Sequence, residues 1–261
     1  RSRRVRCAEV TWPLCAPTVR RGRVRSFAIV RSFAVDKDRR DTCVVRYTTT
    51  LAWERQGQDR AGVSTVSAGA LHAYIDESYR RLRAAEVGTY LFAAVTLRAE
   101  DEGPVRDRMR SLGGRAGFLH WTEERPGPRR EVLDVVARLP INGLTVYVSQ
   151  VPPTRIERAR QHSLWQLTAE LRDRDVHDLT FEARERQMNK RDTATLANIA
   201  KTKVSGRGFK YRFVGKLDEP LLWIADYLAG AAGERVCGGD PSYLARLPDG
   251  LVAVIPIPPY R

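Results

Sequence analysis

Two adjacent carboxylates, Asp76 and Glu77, stand inside a segment with the composition of a β-strand, between His72 and Ser78. Strand interiors disfavour Asp, because burying an ionised carboxylate is costly unless a cation or hydrogen bonds compensate it. Side chains alternate along a strand, so Asp76 and Glu77 point to opposite faces and only one can face a given site. The alternative is a strand that ends at Ile75, with Asp76 opening a turn or capping a helix.

Three further acids stand where apolar residues are expected. Glu182 follows three strand-like residues within a predicted strand, Asp226 lies among apolar neighbours in the last predicted helix, and Asp192 follows a turn. Acids from the first strand, a later strand and the last helix could share a divalent-cation site. Carboxylate oxygens suit Mg²⁺ or Mn²⁺, and two such ions can activate water and stabilise the leaving oxygen in phosphodiester hydrolysis. The alternatives are ion pairs with nearby arginines for Glu182 and Asp226, and a helix cap for Asp192.

One histidine has acidic neighbours. His120 is followed shortly by Glu123 and Glu124, so it could act as a ligand or proton shuttle in a cleft. A satisfied strand histidine is the alternative. The other three histidines do not cluster, and Ser78 lacks the glycine-flanked turn that a catalytic serine of the triad type needs.

A basic segment separates two of the proposed ligands. Residues 186–212 hold eight Lys and Arg against one acid, so they could border the acidic site and bind a phosphate backbone. The proposed substrate-binding residues are Lys201, Lys203, Arg207, Lys210 and Arg212. Phe209 and Tyr211 alternate with these residues and could stack on bases. Alternatively, the segment is a solvated hairpin whose aromatic side chains enter the core.

The positive charge is distributed unevenly. The chain has 261 residues and a net charge of +14, but residues 1–62 hold fifteen Lys and Arg against six acids. We predict that residues 1–62 are a poorly ordered or non-native extension, because arginine-rich, weakly periodic sequence buries too little apolar surface to fold alone. A basic arm that binds nucleic acid is the alternative. Residues 63–240 would form one domain, and residues 241–261 a C-terminal tail.

Composition also excludes several classes of protein. The four cysteines match neither a zinc-site spacing nor a disulfide framework. No apolar run is long enough to span a membrane, and the run at residues 26–30 is broken by Arg31. We therefore expect a cytoplasmic protein with no membrane partner.

From residue 70 onwards, strand-like and helix-like segments alternate. Runs of β-branched and aromatic residues predict strands at residues 71–78, 89–97, 118–121, 143–149, 178–183 and 209–214. Helical periodicity and capping signals predict helices over residues 104–113, 132–139 and 154–171, and another from residue 219 onwards. This alternation predicts an α/β fold in which the early strands pair antiparallel and helices join the later ones.

Several short motifs resemble, in their order, the domain-of-unknown-function 3800 family, a bacterial family with a ribonuclease H-like fold. They are Tyr74-Ile75-Asp76-Glu77-Ser78, the strand at residues 90–97, Leu119-His120-Trp121 and the segment from Trp223 to Gly230. The resemblance covers residues 70–235 and implies a ribonuclease H-like mixed sheet flanked by helices. It also implies Asp76, Glu182 and Asp226 as metal ligands, with Glu77 and His120 nearby. Tyr79 departs from the family pattern, which commonly has a small residue, usually Gly, at this position.

Together, these patterns predict a metal-dependent nuclease or another phosphodiester-processing hydrolase. Asp76, Glu182 and Asp226 would hold Mg²⁺ or Mn²⁺, and the basic segment would bind DNA or RNA. The main alternative is a non-catalytic module that binds nucleic acid or a protein partner through its basic face. A hydrolase acting on a phosphate-containing small molecule is a third possibility, since the fold does not fix the substrate. Only the first function requires the three carboxylates to converge within ligand reach.

Overall fold

A computed structural model of the chain describes residues 70–81, 86–113, 117–202 and 208–258, and the backbone of residues 29–37 and 43–51. The chain divides into two units, Arg1–Ser64 and Thr65–Arg261. In the first unit, strands β1 (Ile29–Lys37) and β2 (Cys43–Leu51) pair antiparallel. The sequence analysis did not predict these strands. The rest of the predicted extension, residues 1–62, lies outside the described residues.

Six strands of the second unit form one mixed sheet. They are β3 (Leu71–Arg81), β4 (Gly88–Arg98), β5 (Asn142–Val151), β6 (Asp178–Glu182), β7 (Lys210–Val214) and β8 (Val252–Pro256). Their order across the sheet is β7-β6-β3-β4-β5-β8. The consecutive strands β3, β4 and β5 pair antiparallel, while β6, β7 and β8 each join a parallel neighbour. Each parallel strand follows a helix, as parallel pairing requires a long crossover connection.

Five helices cover the two faces of this sheet. They are α1 (Glu102–Arg110), α2 (Pro126–Val136), α3 (Ile156–Arg172), α4 (Arg186–Lys201) and α5 (Leu221–Val236). Side chains of α1, α2 and α5 form one core with Tyr74 and Ala93, and those of α3 and α4 form a second core with Ile75 and Phe92. Because side chains alternate along β3, the strand contributes residues to both cores. No helix among the described residues is long and apolar enough to cross a membrane.

Three elements differ from the sequence predictions. The strand predicted at residues 118–121 is wrong: this segment is irregular, and the Trp121 N–H donates to the Asp226 side chain instead of to a strand neighbour. Helix α4 was not predicted as a continuous element. Part of the predicted C-terminal tail, residues 241–261, forms the edge strand β8 alongside β5. This strand is only five residues long and ends at Pro256, which is tolerated because it lies at a sheet edge.

Candidate functional site

Three carboxylates converge on the ammonium group of Lys216. Asp76 projects from β3, Glu182 from the last residue of β6, and Asp226 from α5. Lys216 lies between β7 and α5, and its Nζ is 2.8 Å from Asp76 Oδ2, 3.4 Å from Glu182 Oε2 and 3.5 Å from Asp226 Oδ1. The structure therefore brings together the three acids that the sequence singled out, around a lysine that it did not.

Strand register and helix packing explain this convergence. β3 and β6 are parallel, with Ile75 opposite Phe181, so the next residues, Asp76 and Glu182, lie side by side on the same face. Helix α5 packs on that face and supplies Asp226. The turn that carries Lys216 is joined to α5, because the Trp223 indole N–H donates to the Lys216 carbonyl oxygen at 2.7 Å.

The cluster is largely removed from solvent and holds more acids than bases. Asp76 is 2% exposed and Asp226 8%. Burial, reinforced by the neighbouring Glu182, raises the pKa of Asp76 well above its usual range. Burial and the charge of Asp76 likewise raise the pKa of Asp226. Burial alone would lower the pKa of Lys216, but the three carboxylates outweigh it and raise that pKa, so the ammonium stays charged.

The remaining carboxylate oxygens differ in how they are satisfied. Asp76 Oδ1 accepts the Glu77 N–H at 2.7 Å, and Asp226 Oδ2 accepts the Trp121 N–H at 2.7 Å. Asp76 Oδ2 is buried, and the Lys216 ammonium lies 2.8 Å from it. This ion pair lies at the point on which the three acids converge.

A divalent cation suits the chemistry of this cluster. Carboxylate oxygens are the ligands that Mg²⁺ and Mn²⁺ prefer, and Asp76 Oδ2 is a desolvated oxygen that pairs with the Lys216 ammonium. Over the described ranges, however, no three His, Cys, Asp or Glu side chains are already spaced as ligands of one ion. Asp76, Glu182 and Asp226 would hold such an ion, but they are arranged here around an ammonium group.

Glu77 is not part of this cluster. It lies on the opposite face of β3, where it pairs with Arg160 and with Arg184 Nε at 3.1 Å. Asp192 belongs to the same network, since its two oxygens accept hydrogen bonds from Arg160 at 2.8 and 2.7 Å within the buried part of α4. The structure thus separates Glu77 and Asp192 from the three converging acids.

His120 lies beside the cluster, in the segment between α1 and α2. Its Nδ1 is 2.8 Å from Thr122 Oγ1. It also opposes the rise that burial causes in the pKa of Asp226. His120 directly precedes Trp121, whose N–H donates to Asp226.

The described part of the basic segment lies mostly away from the acids. Lys210 pairs with Asp178, four residues before Glu182 in β6, which corresponds to about 13 Å along a strand. Arg212 Nε donates to Thr180 Oγ1 at 2.9 Å, and Lys201 is the exposed last residue of α4. Lys203 and Arg207 lie outside the described residues. Phe209 and Tyr211 pack against the core formed with α3 and α4, as the alternative predicted, but the described part of the segment forms α4 and β7 and not a hairpin.

The lining of a cleft of about 790 Å³ includes Arg80, Arg81, Arg129 and Trp121. Trp121 connects the cleft to the cluster because its N–H binds Asp226. Arg129 donates to the Trp121 carbonyl oxygen at 2.8 Å and lies over the indole ring, 4.5 Å from its centre. Arg80 already pairs with Glu234 of the same lining at 2.7 Å, so an anionic ligand in this cleft would be held by Arg81 and Arg129.

A glycine makes the connection between the cleft and α5 possible. A Cβ at Gly230 would lie 2.2 Å from the Trp121 ring, so a larger residue would push Trp121 away from α5. The same indole packs edge-on against Tyr227 and Tyr243. Gly230 thus allows the backbone of Trp121 to reach Asp226.

Sequence reasoning missed Lys216 and the cleft arginines. Lys216 follows a glycine between a strand and a helix, where lysines are ordinarily exposed, so its position carried no signal. Arg80 and Arg81 did carry a sequence signal, since they follow directly after the acidic strand motif and Tyr79.

Comparison with protein-family models gives no match to this chain, and comparison with the curated proteins gives none either. What the fold and the site define is a class: an α/β protein with a six-stranded mixed sheet, helices on both faces, and buried carboxylates gathered around a lysine.

Proposed function

We propose that this protein is a divalent-metal-dependent phosphodiester hydrolase, in its simplest form a nuclease, with the ribonuclease H-like fold of the domain-of-unknown-function 3800 family. One observation carries the proposal. The buried Asp76 and Asp226 converge with Glu182, whose side chain is 30% exposed, and the three carboxylates outnumber the single charge of Lys216. Excess buried negative charge is unfavourable in a purely structural cluster, whereas a metal site requires it.

The sheet topology supports the ribonuclease H-like fold. Three consecutive antiparallel strands, β3 to β5, are followed by β6, which pairs with the far edge of β3. This crossover is the step that sets the acid of β6 beside the acid of β3. Two of the motifs that resemble the family contain the other two acids of the cluster, Asp76 and Asp226.

In this proposal, one set of residues would bind the metal ions and another would bind the substrate. Asp76, Glu182 and Asp226 would bind Mg²⁺ or Mn²⁺, which when bound would activate water and stabilise the leaving oxygen. The arginines of the adjacent cleft would hold the phosphate backbone of DNA or RNA. His120, which precedes the Trp121 that binds Asp226, would exchange protons near the scissile phosphate.

A non-catalytic module is the second candidate, and Lys216 is the observation that favours it. An ammonium 2.8 Å from Asp76 already supplies a cation to the cluster. If this ion pair were permanent, the acids would be structural and the protein would bind nucleic acid or a partner protein without cleaving anything.

Metal binding separates the two candidates. We expect calorimetric titration with Mn²⁺ to show binding that Asp76→Asn weakens about tenfold or more, because a charged ligand is lost. Asp175→Asn is the matched control: Asp175 has an 84% exposed side chain, and its φ of 59° is one that Asn tolerates. Absence of Mn²⁺ binding in the unaltered protein would favour the structural cluster.

Cleavage tests the chemistry itself. Single-stranded and duplex oligonucleotides of DNA and RNA should be cut in the presence of Mn²⁺ but not in the presence of a chelator. Asp76→Asn and Glu182→Gln should each abolish cleavage, while Asp175→Asn should retain it. Mn²⁺ binding without cleavage of any of these substrates would leave the metal site intact but contradict the nuclease proposal.

A further inference from the structure

Lys216 occupies the place where a metal ion bound by the three acids would lie. Its Nζ is within 3.5 Å of an oxygen from each of Asp76, Glu182 and Asp226. A Mg²⁺ ion held by these carboxylates would require oxygen distances of about 2.0–2.1 Å. An ion at that distance would lie next to the ammonium, and two cations that close repel each other strongly in a site with little water.

The lysine side chain can leave this position without disturbing the backbone. The Lys216 carbonyl is held by the Trp223 indole, while the ammonium stands at the end of four rotatable methylene groups. The turn itself is at the surface, since the next residue, Leu217, is 70% exposed. A rotamer that directs the ammonium into solvent is therefore accessible from the same backbone.

We infer that Lys216 is a built-in competitor for the metal ion: its ammonium occupies the acid cluster in the metal-free protein and is displaced when Mg²⁺ or Mn²⁺ binds. The inference rests on the metal site of the proposed function and adds a residue that sets its affinity. In the metal-free state the lysine reduces repulsion among the buried carboxylates. On binding, a divalent ion takes over this role and releases the lysine side chain into solvent.

Substitution of the lysine tests the competition. Lys216→Met keeps the length and apolar stem but removes the charge, so it should bind Mn²⁺ about tenfold or more tightly than the unaltered protein and melt at a lower temperature without metal. Lys190→Met is the control, because Lys190 is exposed on α4, and it should change neither value. Lys216→Gln provides a second uncharged variant if Lys216→Met does not fold.

Chemical labelling of the unaltered protein tests the displacement directly. Reductive methylation followed by peptide mass spectrometry should leave Lys216 protected without metal, since its side chain is 10% exposed. Lys216 should become methylated at saturating Mn²⁺, while Lys190 should be methylated in both conditions.

The outcomes separate this inference from the proposed function. Mn²⁺ binding with Lys216 still protected would overturn the displacement and leave the metal site standing. Equal Mn²⁺ affinity in Lys216→Met and the unaltered protein would do the same. If neither protein bound Mn²⁺, both the metal site and the competition would be overturned, and Lys216 would be a structural ion-pair partner.

Discussion

Asp76 and Glu77 are consecutive residues of one strand, yet they belong to two ion clusters that differ in how well their charges are compensated. On the Glu77 side, all three guanidinium nitrogens of Arg160 are hydrogen-bonded, two to Asp192 and one to the Tyr90 hydroxyl. Arg160 also pairs with Glu77 itself and is 2% exposed. The planar guanidinium fits this fixed geometry, which is typical of a structural network.

On the Asp76 side, a single lysine faces three carboxylates. Its ion pair with Asp76 is 2.8 Å long, but those with Glu182 and Asp226 are longer, at 3.4 and 3.5 Å. Lysine presents a compact charge that can move, rather than a fork that fixes its partners. The comparison teaches that excess charge around a mobile cation is the better indication of a ligand site, even though both clusters contain buried acids.

The largest effect should come from breaking the compensated network. Arg160→Met would leave Asp192 and Glu77 without their main partner, and loss of one member of a buried ion pair costs about 3–5 kcal/mol of unfolding free energy. Urea unfolding followed by circular dichroism would measure it. Arg110→Met, which removes an exposed arginine paired with Asp107 on α1, should cost less than about 1 kcal/mol. A similarly small cost for Arg160→Met would contradict the structural assignment of this network.

Neutralising the two neighbouring acids should change the stability of the protein in opposite directions, and by less than Arg160→Met does. Glu77→Gln removes the charge that Arg160 and Arg184 share, so we expect it to destabilise the protein by about 1–3 kcal/mol. Asp76→Asn removes a repulsive, buried charge and should leave the metal-free protein equally stable or slightly more stable at pH 8. Matched urea titrations of the two variants would measure the difference. Equal destabilisation by both substitutions would remove the distinction between the clusters.

The pH dependence should sharpen this result. Because burial raises the pKa of Asp76 in the folded state, the folded protein binds its proton more tightly than the unfolded chain does. Stability from this group is therefore greatest at low pH and falls as the pH rises from the unfolded pKa through the folded one. The unaltered protein should gain stability relative to Asp76→Asn when the pH is lowered from 8 to 5. An unchanged difference would show that the Asp76 carboxyl does not titrate as burial predicts.

The sequence predicted that Asp76 and Glu77 lie on opposite faces of β3, but it did not predict the cations that pair with them. Alternation along β3 was sufficient to separate Asp76 from Glu77, and the apolar surroundings of Asp226 identified it as unusual. Arg160 and Lys216 escaped prediction because a long cationic side chain in a helix or turn is ordinarily exposed, and only tertiary packing buries it. Helix α4 was missed for a related reason, since most of its residues are polar and only four are buried.

The smallest expected effect is on the salt dependence of nucleic-acid binding. It tests whether the basic residues of the cleft, or Lys201 and Lys210, contact the substrate. The sequence favoured a basic segment that includes Lys201 and Lys210, whereas Arg81 and Arg129 line the cleft. We expect Arg81→Gln with Arg129→Gln to reduce the slope of log affinity against log salt by about 1.4–1.8, because each lost phosphate contact removes about 0.7–0.9. Lys201→Gln with Lys210→Gln should leave the slope nearly unchanged.

Fluorescence anisotropy of a labelled oligonucleotide across a salt series would measure both slopes, and thermal unfolding would verify that each variant is folded. The reverse result would place the phosphate backbone along β7, far from the carboxylates, and nucleic-acid binding would then be a function separate from the acid cluster.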